Sequence, residues 1–197
     1  MAVTIRRLSG QEVAPYLPEL ARLRIEIFRE YPYLYEGDLE YEAAYLRAYS
    51  QSPESVFVLA QDDERVIGIS TGLPLSQADA EFVAPFIEHG YPPQAVFYFG
   101  ESVLLPDYRG QGIGVRFFEE REGYAQALQR FRYTAFCAVA RPDDHPTRPA
   151  DYQPLDQFWR NRGYTQYPHL QTRYPWRDLG ESEETLKPMI FWIKNLG

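Results

Sequence analysis

The chain has 197 residues, a formal charge of −8 at pH 7, and a 45% apolar and aromatic share that includes 16 Tyr and 12 Phe. That share excludes a disordered chain and the length fits one domain, while the acidic balance argues against nucleic acid, whose binding needs a basic face. A single cysteine, Cys137, excludes an internal disulfide, and the run Met1–Arg6 has no long apolar stretch behind it. Neither signal peptide nor membrane contact is therefore expected, and a reducing, cytoplasmic setting is.

Helical and strand patterns alternate without an internal repeat. Thr4 to Leu8 reads as a short strand, and Gln11 to Arg29 as a helix with Leu17, Leu20, Leu23 and Ile27 at helical spacing. Tyr31-Pro32 ends it, since the residue before proline leaves the α region. A second helix, Asp38 to Ser50, opens on an Asp suited to an N-cap. Ser55 to Gln61 and Arg65 to Leu75 read as a hairpin around the turn Asp62-Asp63-Glu64. Asp79 to Glu88 is a short helix, Val96 to Leu105 a long strand, Gly112 to Phe131 a long helix and Tyr133 to Ala140 a central strand. Four prolines make Arg141 to Pro154 a loop. Gln153 to Arg162 is a last helix, with Gly163 where a left-handed cap belongs. Strands at Gln166 to Tyr174 and Leu186 to Lys194 close the chain. Hairpins at both ends around a strand-helix-strand unit predict an α/β fold, a mixed sheet with helices on both faces.

Chemistry concentrates in Glu101-Ser-Val-Leu-Leu-Pro-Asp-Tyr-Arg-Gly-Gln-Gly-Ile-Gly114. Gly110, Gly112 and Gly114 let the backbone approach a ligand with no Cβ in the way. The helix that starts there offers unpaired N–H groups and the positive end of its dipole, which together suit a pyrophosphate. Spacing sets two familiar phosphate loops aside. The dinucleotide fingerprint wants Gly-x-Gly-x-x-Gly, and the mononucleotide loop ends in Gly-Lys-Ser/Thr; neither occurs here.

Arg109-Gly-Gln-Gly-Ile-Gly114 resembles the signature of the GNAT family of N-acetyltransferases, Arg/Gln-x-x-Gly-x-Gly/Ala. Val103-Leu-Leu-Pro-Asp-Tyr resembles that family's strand exit, and the order of elements matches nearly the whole chain. The resemblance implies a mostly antiparallel, twisted GNAT-like sheet and a single acyltransferase domain over residues 1–197. Within it, 1–95 would carry the acceptor-side helices and first hairpin, 96–140 the CoA-binding core, and 141–197 the loop, last helix and closing hairpin. Acetyl-CoA is the implied co-substrate and a primary amine the implied acceptor, on a small molecule or a peptide. The backbones of Val103 and Leu104 would take the pantetheine arm like an added strand. Amides of Arg109, Gly110, Gln111, Gly112, Ile113, Gly114 and Val115 would hold the pyrophosphate. The free amide of Leu104 or Leu105 would polarise the thioester carbonyl. Two other readings remain open: a catalytically silent acyl-CoA-binding module, and a transferase of longer acyl groups or to a hydroxyl.

An amine with a pKa of about 10.4 must lose a proton before it can attack. Glu101 is the candidate base, because a carboxylate beside Gly100 in an apolar strand is uncommon and family members often carry one nearby. A structural pairing with an arginine, or a solvent-facing position, is the competing reading. The acid departs from the family pattern. In Phe158-Trp159-Arg160-Asn161-Arg162-Gly163-Tyr164, Trp159 stands where members commonly carry a tyrosine, and an indole N–H delivers no proton near neutral pH. Core packing is the favoured role for Trp159, and Tyr152 or water the candidate acid.

The family places acceptor-covering helices over Glu26 to Tyr49, a stretch rich in tyrosines and carboxylates. Tyr31, Tyr33, Tyr35 and Glu36 are the acceptor candidates there. Rings with carboxylates suit a cation, although Tyr41, Tyr45 and Tyr49, four apart, equally suit one packed face. His89, His145 and His169 share no metal-ligand spacing, so no metal is expected. A tyrosine-rich surface is compatible with a homodimer.

Overall fold

The computed structural model describes residues 3–197; Met1 and Ala2 lie outside it. Eight strands form one sheet in the order β1-β2-β3-β4-β6-β8-β7, with β5 paired to β3. They are β1 (Thr4–Ser9), β2 (Val56–Asp62), β3 (Arg65–Pro74), β4 (Val96–Tyr98), β5 (Ser102–Leu104), β6 (Tyr133–Val139), β7 (Thr165–Trp176) and β8 (Thr185–Asn195). All pairings are antiparallel except β4 with β6. The mixed, mostly antiparallel sheet expected from the sequence is present.

Successive strand residues point to opposite faces, so a strand buried without interruption is covered on both sides. Val56–Gln61 and Val66–Pro74 are buried at every position. The covers are α1 (Leu17–Phe28), which meets β3 and β5, α2 (Leu39–Gln51), packed on α1, α3 (Ala80–Glu88), against β7, and α4 (Ile113–Ala127), across β2 and β3. Asp38 caps α2 by accepting from the Tyr41 amide at 2.8 Å. No described helix is long and apolar enough to cross a membrane.

Three expectations need correction. The first helix splits into a 3-10 turn, Gly10–Tyr16, followed by α1, because Pro15 and Pro18 lack the amides that would join them. The last helix, α5, shrinks to Asp156–Arg160, since Pro154 pushes Gln153 out of helical geometry. Gly163 does take the left-handed conformation, at φ +86°. The third correction shapes the site: the strand expected over Val96 to Leu105 is broken between Tyr98 and Ser102.

At that break Gly100 donates to the Thr71 carbonyl (3.2 Å) while the Thr71 amide donates to the Glu101 carbonyl (3.0 Å). Two residues face one, which is a β-bulge. Glycine is required at position 100, where a Cβ would lie 2.8 Å from Thr71 Oγ1 and collide with the Tyr49 hydroxyl. Arg121 of α4 fills the gap, donating to the carbonyls of Thr71 (3.2 Å) and Glu101 (3.1 Å) and to Ser102 Oγ (2.9 Å). Its guanidinium lies 4.1 Å from the Phe99 ring centre.

Candidate active site

Before the bulge, β4 runs parallel to β6, and Phe99 makes the final bond, to the Ala135 carbonyl at 2.8 Å. After it, β5 pairs only with β3, while Phe136–Val139 of β6 remain paired to β8 on their other edge. The facing edges of β5 and β6 therefore part, leaving a cleft. The Thr71–Glu101 and Leu105–Ile67 bonds put residues 101 and 105 on the β3 side. Alternation turns the main-chain groups of Val103 the same way and those of Ser102 and Leu104 into the cleft. Of the two amides considered for polarising a carbonyl, that of Leu105 already donates to Ile67 (2.9 Å), and that of Leu104 faces open space.

The glycine turn stands at the mouth of this cleft. Gly110 and Gly112 adopt φ of +76° and +83°, which side-chain-bearing residues rarely tolerate, and a Cβ on either would meet nothing within 4 Å. Gly114 is small for another reason: a Cβ there would press on Phe158 at 3.3 Å. The ends of the expected amide run are already bonded, Arg109 N–H to Pro106 and Val115 N–H to Gly112, both at 3.0 Å. The expectation contracts to Gly110, Gln111, Gly112, Ile113 and Gly114, whose amides donate to no described backbone carbonyl. Arg109 contributes differently, bonding Glu30 (2.9 Å) and the Leu104 carbonyl (3.3 Å) through its side chain. The turn and the open cleft thus fit an elongated, phosphate-bearing ligand.

Beyond the bulge the cleft widens into a cavity of about 1340 Å³ in all, larger than the 300–1,000 Å³ usual for one small-ligand site. Glu101, Tyr152, Tyr31, Tyr33 and Tyr35 all line it, as do Leu104, Gly110, Gly112 and Gly114. Glu36 does not; it is turned towards Arg177, 3.9 Å away, and is withdrawn as an acceptor residue.

Glu101 is buried and has three partners. Its Oε1 accepts from Thr71 (2.9 Å) and its Oε2 from Tyr45 (3.3 Å), and Oε2 also forms an ion pair with the Arg24 guanidinium (2.5 Å). Two carboxylate oxygens offer about four acceptor sites, so one remains on Oε1. Arg24 also pairs with the fully buried Glu42. Burial alone would lower the pKa of Arg24, but Glu101, Tyr45 and Glu42 reverse the sign and hold it well above its ordinary value. Burial, reinforced by Glu101, pushes the Tyr45 hydroxyl up. The arginine pairing weighed for Glu101 is real, and it coexists with a place on the cavity wall.

Tyr152, on the proline-rich loop, sits edge-on to Tyr31 at 4.7 Å, and burial raises its pKa, so it holds its proton at neutral pH. Trp159 packs against Phe136 (5.1 Å) and Trp192 (5.0 Å), the packing role expected for it. Burial raises the Cys137 thiol to about 12, and Tyr98 lies 3.2 Å from its sulfur.

Sequence reasoning missed Arg24, Glu42 and Arg121 as site residues. A signal was present for two of them. Arg24 falls between Leu20 and Ile27 on the apolar stripe of its helix, and Arg121 between Phe118 and Ala125. A cation on a buried face needs partners, and those partners are in the cavity wall.

Solved structures with the same fold include a ribosomal-protein-alanine N-acetyltransferase from Brucella melitensis, at 14% identity and TM-score 0.63, covering 98% of this chain and 99% of that one. A phosphinothricin acetyltransferase from Sinorhizobium meliloti, in complex with AcCoA, aligns at 18% identity and TM-score 0.63, covering 100% and 90%. A GNAT-family acetyltransferase from Streptococcus pneumoniae aligns at 15% identity and TM-score 0.59 over the whole of both chains. No curated protein matches the sequence. The profile of the Acetyltransferase (GNAT) family matches residues 19–150, a span holding most of α1, the bulge, the glycine turn and β6. The chain therefore belongs to the GNAT family of acetyltransferases.

Proposed function

We propose that the protein transfers an acetyl group from acetyl-CoA directly to a primary amine. One observation carries this reading: a single cavity joins the glycine turn, the cleft-facing Leu104 and the buried carboxylate of Glu101. Acetyl-CoA, when bound, supplies the thioester and its acetyl group. The free amides from Gly110 to Gly114 hold phosphate oxygens, and Leu104 meets the pantetheine arm and donates its N–H to the carbonyl oxygen. Glu101 accepts the amine's proton on the unoccupied site of Oε1, while Arg24 and Thr71 fix its orientation. Tyr152, protonated at neutral pH, is the donor to the departing thiolate.

The test is thiol release from acetyl-CoA with a panel of primary amines. Amine-dependent release supports acetyl transfer. Binding of acetyl-CoA without release from any amine would favour the silent binding module instead.

A further inference from the structure

Resting on the acetyl-transfer reading, we infer that the acceptor is an amine carried on a flat, uncharged, aromatic body, and not a polyamine or an amino acid. The inference comes from what the acceptor half of the cavity leaves unbonded.

Its buried charged groups are already committed. Glu42 and Glu101 both pair with Arg24. Arg121 directs its donors to the carbonyls of Phe117, Thr71 and Glu101 and to Ser102. Burial lowers its pKa only to about 10, so it remains a cation at neutral pH. Two cations and two anions cancel. A polyamine would find no spare buried carboxylate for its second ammonium, and an α-carboxylate no spare buried guanidinium. Burying either charge without a partner costs several kcal/mol in general. The overall charge of −8 does not alter this, because exposed charges beyond about 8–10 Å are screened by salt.

The hydroxyls of three wall tyrosines are committed too. Tyr45 donates to Glu101, Tyr98 meets Cys137, and Tyr174 donates to Asp79. Tyr35 is raised by burial and by Glu42 beside it, and Tyr33 lies against the Val139 backbone. The rings themselves remain to meet a ligand. They form two groups on the cavity wall, Phe28 with Tyr33 and Trp176, and Phe82 stacked on Tyr98 (5.2 Å) and Tyr174 (4.8 Å). A wall of ring faces with no free buried charge recognises another ring, by offset and edge contacts. The single free acceptor site on Glu101 then takes the amine.

The experiment measures acetyl-CoA-dependent thiol release by the full chain with 2-phenylethylamine, L-phenylalanine and spermidine. The first two differ only by the α-carboxylate. A kcat/KM for 2-phenylethylamine at least tenfold above both others is expected. A value for spermidine or L-phenylalanine equal to or above it overturns the inference and leaves acetyl transfer standing. Release with none of the three or any other amine, while acetyl-CoA still binds, overturns both. Tyr174→Leu should raise KM at least fivefold for 2-phenylethylamine and less than twofold for n-butylamine. Equal changes for the two amines would show that the ring is not read.

Discussion

Arg24 on α1 and Glu101 at the strand bulge form a buried ion pair with an N–O distance of 2.5 Å, and the same guanidinium also holds Glu42. One cation therefore neutralises two carboxylates from different elements, and removing it leaves both uncompensated. Arg24→Leu is expected to destabilise the protein by about 3–5 kcal/mol, the usual effect of breaking a buried pair. Urea unfolding checks this. Adding Glu42→Gln to the variant should restore part of the loss, because the shared partner makes the two changes non-additive. Strict additivity would mean the two side chains are independent.

Glu101→Gln separates chemistry from architecture. Arg24 keeps Glu42, so the fold should persist, and acetyl-CoA affinity should stay nearly unchanged because main-chain groups hold it. The rate should fall by about 10²- to 10⁴-fold. The deficit should shrink as pH approaches the amine's own pKa of about 10.4, where substrate arrives deprotonated. Rates within twofold of the parent at every pH would remove Glu101 from the catalytic groups.

Much of this site was legible in the sequence because its parts are local. The glycine turn, the start of the helix behind it and the carboxylate beside Gly100 lie within fourteen consecutive residues, Glu101 to Gly114. The break in the strand was not legible, since it depends on Arg121 arriving from α4 to satisfy two carbonyls, and on Tyr49 and Thr71 crowding Gly100. The commitment of Glu42 was hidden for the same reason: its partner Arg24 lies eighteen residues away on another helix. Glu36 illustrates the converse error. Its position among tyrosines suggested the acceptor, yet its backbone pairs with Arg177 and draws it out of the cavity.

Position 112 tests the turn. Gly112→Val puts a β-branched residue at φ +83°, at a backbone cost of about 1–3 kcal/mol, while the space above stays clear of protein atoms. The variant should fold with a lowered melting temperature and lose acetyl-CoA binding. Unaltered affinity in a folded variant would place the phosphates elsewhere.

Acid stability offers an independent check on the hairpin behind the acceptor wall. Glu181 accepts from Lys187 at 2.8 Å and from the Asp178 amide at 3.0 Å, and these bonds hold its pKa down at about 2. A carboxylate depressed in the folded state contributes stability that is complete above its unfolded pKa, about 4.3, and is lost as pH falls towards 2. Urea midpoints should therefore drop between pH 4.5 and 2, and less steeply in Glu181→Gln. Because Glu181 is about one-third exposed, the difference should also shrink with added salt. Identical acid limbs for the two proteins would mean the bonds to Glu181 contribute nothing.

The most direct measurement is calorimetric titration of the protein with acetyl-CoA, with NADH and ATP as competitors. One binding site per chain is expected, undisturbed by either nucleotide, since the turn from Gly110 to Gly114 has neither of their loop spacings. At a hundredfold excess over its dissociation constant, acetyl-CoA should add about 2.7 kcal/mol of stability, seen as a raised melting temperature. An absence of binding heat together with an unchanged melting curve at millimolar acetyl-CoA would contradict acetyl-CoA as the co-substrate.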